Sequence, residues 1–240
     1  HIKSLAQQLL RGLAYLHYAD LLHGDVTGCY FLMIRQGILK IADFGLARTY
    51  YKRKKGDYTN RVVTLWYRPP ELLLGATQYG AEVDAWGAGC LFLELFQRRA
   101  VFQGRDEMHQ LQVMTRVLGP LSPEAWPDVQ YMPWYELMRL EHKNDASKDT
   151  QSSSTVGTFH SDFGGLLTEG AMSLAEGLLA YDPRRRLSMC EALQCPYFTS
   201  EAPAPEPPAE LLSSLDGEWH ELQSKLALRH AQHQASKQVP

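Results

Sequence analysis

Two aspartates stand 18 positions apart, Asp25 in Leu22-His23-Gly24-Asp25 and Asp43 in Lys40-Ile41-Ala42-Asp43-Phe44-Gly45-Leu46-Ala47-Arg48. Each closes a short apolar run and has a glycine close by. A carboxylate in such a place can accept a proton or ligate a hard cation. Spacing alone assigns neither role, because the same tripeptide recurs at Asp162-Phe163-Gly164 in a stretch of low complexity. Context separates the copies: the first follows the strand-like Ile38 to Ala42 and runs on into further patterned residues.

The elements that must position these aspartates are legible from periodicity. Ile2, Leu5, Ala6, Leu9, Leu10, Leu13, Leu16 and His17 recur at three- and four-residue steps, which predicts a helix ending near Asp20. Leu21, Leu22, Phe31, Leu32, Ile34, Ile38, Leu39 and Ile41 come in short runs broken by turn residues and predict small strands. From Glu71 onward helices dominate. Glu82 to Phe96 is apolar nearly all round and belongs at the centre of the fold, with further helices expected over Met108 to Leu118, Glu169 to Leu179 and Ser188 to Leu193. The expected class is mainly α with a few short β-strands.

The 240 residues are 45% hydrophobic and 21% charged, enough to bury a substantial core. With 24 Lys and Arg against 27 Asp and Glu, the charge balance gives no support to a nucleic-acid grip spread over the surface. No stretch approaches the ~20 consecutive apolar residues of a membrane span. The cysteines Cys29, Cys90, Cys190 and Cys195 show no C-x-x-C spacing, which suits a reducing setting. The first residue, His1, opens directly into helical periodicity, so the chain is expected to begin inside a domain.

Two breaks divide the sequence. Residues 141–161 lose apolar periodicity and are rich in Ser, Thr, Asp and Lys, which predicts a solvated, disordered insertion. Residues 201–208, EAPAPEPP, read as a stiff proline-rich spacer. Beyond it, over 209–240, Leu211, Leu215, Trp219, Leu222 and Leu226 mark one face of an amphipathic helix, expected to fold back on the lobe formed by residues 1–200. Lys52-Arg53-Lys54-Lys55 reads as a solvated loop that meets phosphate or an acidic partner rather than as an import signal.

The run Tyr58-Thr59-Asn60-Arg61-Val62-Val63-Thr64-Leu65-Trp66-Tyr67-Arg68-Pro69-Pro70-Glu71 closely resembles the cyclin-dependent protein kinases. The resemblance extends through Asp84-Ala85-Trp86-Gly87-Ala88-Gly89-Cys90, Pro120 to Trp126 and Asp182-Pro183-Arg184-Arg185-Arg186. Several long motifs in one order make coincidence untenable. Arg61 to Gly75, Pro133-Trp134-Tyr135, and Pro196-Tyr197-Phe198 through Trp219-His220-Glu221 look most like the catalytic subunits of fungal kinases acting on the C-terminal repeat of RNA polymerase II.

That resemblance implies a kinase C-terminal lobe without its N-terminal lobe: no Gly-x-Gly-x-x-Gly occurs in the sequence. It also implies ATP and magnesium as cofactors, a cyclin partner, Ser/Thr-Pro substrates and a nuclear setting, with the cytoplasm also open. Asp25 matches the catalytic base and Asp43 the magnesium ligand. Thr64 matches the threonine that bonds the catalytic aspartate. Thr59 matches the phosphorylated activation threonine, with Arg48 among its arginine partners. Arg68 matches the arginine behind proline selectivity, Glu71 and Arg186 a buried ion pair, and Asp84 the anchor of the catalytic loop.

The catalytic loop departs from the family's His-Arg-Asp-x-Lys-x-x-Asn: Gly24 replaces the arginine, Thr27 the lysine and Tyr30 the metal-ligating asparagine. Loss of one preorganised group typically costs ~100- to 1,000-fold in rate. The departures therefore predict impaired transfer and support an alternative reading, a pseudokinase or kinase fragment acting as a binding module.

Overall fold

The computed structural model describes residues 1–34, 36–50, 63–137 and 157–210. Helix α1, Ile2–Tyr18, buries Ala6, Leu9, Leu10, Leu13 and Leu16 along the predicted stripe. It ends where Asp20 takes φ +54 and the chain reverses into β1, Leu21–Leu22. After a 3₁₀ turn at Gly28–Tyr30 come β2, Phe31–Met33, and β3, Leu39–Ile41, which form an antiparallel hairpin with Phe31 opposite Ile41 and Met33 opposite Leu39. β4, Arg48–Thr49, pairs antiparallel with β1. The two hairpin-like pairs set the loops that carry Asp25 and Asp43 side by side.

The helical body follows. A one-turn helix α2 spans Pro70–Leu73, and α3, Glu82–Gln97, is buried over the whole run Val83 to Leu93. A helix apolar on every side can only sit inside the lobe, and Trp86, Phe92 and Leu93 are at most 2% exposed. α4, Glu107–Leu118, starts at Asp106, whose carboxylate accepts the His109 N–H at 2.8 Å. Next come α5, Phe159–Phe163, α6, Glu169–Leu178, α7, Met189–Leu193, and α8, Pro196–Thr199. α1 packs on α7 and α3, and α3 packs on α6.

Two expectations are corrected. The insertion does not reach residue 161: Phe159 and Phe163 are core side chains, 5% and 1% exposed, in α5. Their apolar weight was hidden among Thr158, His160, Ser161 and Asp162; residues 141–156 lie outside the described residues. The second Asp-Phe-Gly copy is therefore structural, Phe163 filling the core while Asp162 accepts from Thr158 Oγ1 at 2.6 Å. The helix expected from Ser188 begins one residue later because Ser188 caps it, in a capping box with Glu191. Among the described residues no helix is long and apolar enough to cross a membrane.

Candidate functional site

The catalytic-loop stretch is built from a buried carboxylate upward. Asp84, fully buried near the start of α3, accepts the backbone N–H of His23 on Oδ2 and that of Gly24 on Oδ1, each at 2.9 Å. His17, from the last turn of α1, places Nε2 2.9 Å from the same Oδ2. Hydrogen bonds to an ionised acceptor are worth roughly 1.5 to 3 kcal/mol, so this one side chain fixes the path of the loop between two helices. Gly24 sits at φ +78, a conformation open to glycine without cost.

His23 extends the anchoring toward the second aspartate. Its Nδ1 accepts the Asp25 N–H at 3.3 Å, which leaves Nε2 as the protonated nitrogen, donating to the Ala42 carbonyl at 3.1 Å. The imidazole lies 5.6 Å from the Phe44 ring. One side chain thus ties the residue before Asp43 to the residue after Gly24.

Asp25 is 7% exposed. Its Oδ1 accepts both the Thr64 N–H at 2.9 Å and the Thr64 hydroxyl at 3.1 Å, while among the described residues Oδ2 has a single 3.4 Å contact, with that hydroxyl. Beside Thr64, Val63 adopts φ +67, which a β-branched residue takes only under constraint. The constraint is Arg68: Nη2 and Nε donate to the Val63 carbonyl at 3.1 and 3.3 Å, and Nη1 meets Glu107 at 2.7 Å.

Below this segment Arg186 and Glu71 form a bidentate pair, 2.8 and 2.9 Å, with side chains 0% and 4% exposed. Arg186 also donates to the carbonyls of Glu82 and Ala180, so its remaining donors are used within the lobe. The pair fastens α2, which follows Arg68, to the turn before α7.

Asp43 is exposed and takes φ +59, with Oδ1 accepting the Gly45 N–H at 3.0 Å. Tyr30 lies near both aspartates. The Asp25 carboxylate, then Cys29 and burial, and more weakly Asp43, push its phenol, already neutral at physiological pH, above the ordinary value. Thr27 is buried, its hydroxyl 3.0 Å from the Cys29 thiol. Among the described residues no cluster of three or more His, Cys, Asp or Glu could hold a metal.

The structure thus brings Asp25, Thr64, Tyr30 and Asp43 into one locality, with Arg68 on the adjoining segment and Asp84, Glu71 and Arg186 beneath. Arg48 is placed in β4; Thr59 and the Lys52–Lys55 run lie outside the described residues. Sequence reasoning missed His17, Glu107 and the left-handed Val63. No spacing rule could have found His17 or Glu107, because each is defined by a partner more than 35 positions away.

The protein kinase domain description matches residues 1–198. The chain is 45% identical over 226 residues to the CTD kinase subunit alpha of Schizosaccharomyces pombe, covering 94% of this chain and 36% of that protein. It is 45% identical to the Saccharomyces cerevisiae CTD kinase subunit alpha, over 94% of this chain and 40% of that one. Human cyclin-dependent kinase 9 is 39% identical over 89% of this chain and 55% of its own length. The solved yeast RNA Pol II CTD kinase CTDK-1 complex contains a chain that superposes with a TM-score of 0.77 at 45% identity, over 86% of this chain and 64% of that one. The chain therefore spans less than half the length of both CTD kinase subunits. With the anchored loop, the buried ion pair and the helical lobe all in place over the matched residues, this chain belongs to the protein kinase family.

Proposed function

We propose that the protein carrying this lobe is a cyclin-dependent serine/threonine kinase that moves the γ-phosphate of ATP onto Ser/Thr-Pro sites, working with a cyclin subunit in the nucleus. The C-terminal repeat of RNA polymerase II is its expected substrate, by analogy with the CTD kinase relatives. The observation that carries the reading is the asymmetry of Asp25. Thr64 occupies Oδ1 twice and leaves Oδ2 with a single long contact. A carboxylate held by one oxygen and open at the other suits a group that accepts a substrate hydroxyl's proton.

Proline selectivity follows from the neighbouring segment. The Val63 carbonyl is turned by φ +67 and engaged by Arg68, so a substrate N–H arriving there meets no free acceptor. Proline has no N–H to leave unsatisfied.

Magnesium bound to the nucleotide phosphates supplies charge neutralisation during transfer. Asp43 fits such a hard cation: it is an exposed carboxylate, oriented by the Gly45 N–H on Oδ1 and lying beside the Tyr30 phenol. Tyr30 does not fit a second metal, because a neutral phenol is a poor oxygen ligand and the neighbouring carboxylates make its ionisation harder still. The residues present suit one magnesium rather than two.

The departures in the catalytic loop favour a second reading, in which transfer is weak and the lobe serves as a binding module. Gly24 and Thr27 carry no cationic group toward the transferring phosphate. Joining this lobe to the upper lobe of a CTD kinase subunit alpha, with its cyclin, tests the first reading: phosphate should pass to a Ser-Pro repeat peptide and be abolished by Asp25→Asn. Transfer that persists in Asp25→Asn refutes the role of Asp25; binding of the peptide without transfer establishes the second reading.

A further inference from the structure

Ser122-Pro123 is the single Ser/Thr-Pro dipeptide in the 240 residues. It lies in the connection between α4 and the 3₁₀ turn Val129–Tyr131. Both ends of that connection are fixed in the lobe. Tyr181 donates its hydroxyl to the Gly119 carbonyl at 2.8 Å, and Trp126 and Val129 are 4% and 0% exposed. Between these anchors the chain rises to the surface: Pro120, Pro123 and Glu124 are exposed and Ser122 is half-buried.

The local conformation presents the serine. Its carbonyl accepts the Ala125 N–H at 3.1 Å and the Trp126 N–H at 2.8 Å, so Pro123 opens a single turn and Ser122 stands just before it. A residue preceding proline is biased to the extended region, which is also the conformation of a serine at the head of a turn. The hydroxyl is lightly held: the Ala125 N–H reaches it at 3.5 Å, and its own contact is with the exposed Glu124 carboxyl, which it keeps below the ordinary value. Both partners belong to the same surface turn, so a small opening of that turn releases the hydroxyl.

We propose that Ser122 of the folded lobe is the phosphate acceptor for a proline-directed serine/threonine kinase, a second copy of this protein being one source of that activity. Ser122 Oγ attacks the γ-phosphorus of MgATP held by the kinase. The bond from that phosphorus to the β,γ-bridging oxygen breaks, ADP leaves, and the hydroxyl proton passes to the kinase's catalytic carboxylate. Because Ser122 and Asp25 are anchored in one lobe, transfer by this protein runs between copies. That source rests on the function proposed above; the acceptor itself does not. The phosphate adds roughly two negative charges beside Glu124 and takes away the hydroxyl hydrogen that steadies its carboxylate. Repulsion between the two groups then loosens the turn that delivers Trp126 to the core.

Phosphopeptide mapping by mass spectrometry tests this on the full-length protein with its cyclin. In one arm the protein carries Asp25→Asn and is incubated with MgATP and a purified, active cyclin-dependent kinase. Phosphate should appear on Ser122, and Pro123→Ala should slow its appearance about tenfold or more. In the other arm the protein keeps Asp25 and receives MgATP alone, with a Ser-Pro repeat peptide as a reference for transfer. Labelling of Ser122 there, at a rate that rises with protein concentration, supports the proposal with a second copy as the source. Labelling in the first arm alone supports it with a separate proline-directed kinase as the source. Absence of phosphate from Ser122 in both arms overturns the proposal, and labelling of a synthetic 117–128 peptide by the same kinase would then show that the turn shields the hydroxyl. The reference peptide reads transfer whatever happens at Ser122, so the function proposed above and this site fail separately.

Discussion

Arg68 holds the carbonyl of Val63, through Nη2 at 3.1 Å and Nε at 3.3 Å, and so stabilises a left-handed β-branched residue beside the catalytic-loop contact of Thr64. Replacing Arg68 by Ala frees that carbonyl to accept a substrate N–H. In a protein with both lobes, the kcat/KM preference for Ser-Pro over Ser-Ala peptides should then fall by about tenfold or more. An unchanged preference would place selectivity elsewhere.

The Glu71–Arg186 pair is buried at both ends, so removing one partner strands a charge. Arg186→Met should cost about 3 to 5 kcal/mol in denaturant unfolding. The double replacement Glu71→Leu with Arg186→Met should recover much of that loss, because an apolar pair leaves no orphaned charge. Equal losses in the single and double variants would contradict the pairing argument.

Alkaline stability should follow the buried tyrosines. Burial raises the phenols of Tyr50 and Tyr197 from 10.0 to about 12. Between these values the unfolded chain has lost the proton and the folded chain keeps it. Their contribution is therefore complete below pH 10 and is lost as pH rises toward about 12. Thermal unfolding followed from pH 9 to 12 should show a falling midpoint, and Tyr197→Phe should flatten the fall.

Gly24 relaxes a position where any side chain is strained: φ is +78, and a Cβ would lie 3.0 Å from the Leu46 carbonyl oxygen. Gly24→Ala should destabilise the lobe by about 1 to 2 kcal/mol, measured by chemical denaturation. The loop's departure from the family thus has a structural effect opposite in sign to its expected catalytic one.

Most helices were readable because they repeat their apolar residues at three- and four-residue steps, whereas the capping role of Ser188 was not, so its helix was expected one residue early. The core role of Phe159 was not, since four polar neighbours mask a single helical turn. At the site, Asp25, Asp84 and Arg68 were legible through resemblance alone; periodicity marks none of them. Val63 escaped because β-branched residues disfavour the left-handed region, and only Arg68, five positions on, imposes it. The anchoring of Glu201 on the Thr168 hydroxyl and Gly170 N–H, and the burial of Pro208, escaped for a similar reason: proline-rich composition signals stiffness but not what the segment touches. The helix expected from Leu211 to Leu226 lies outside the described residues.

The most direct measurement is phosphate transfer to a Ser-Pro repeat peptide by this lobe joined to an upper lobe and cyclin, with Gly24, Thr27 and Tyr30 native or replaced by Arg, Lys and Asn. The loss of the cationic and metal-ligating groups at Gly24, Thr27 and Tyr30 predicts weak transfer in the native loop and a gain of about 100-fold or more on replacement, since each restored group stabilises the transferring phosphate or its metal. Equal rates in the two proteins would contradict the account, showing that these three positions do not limit the chemistry.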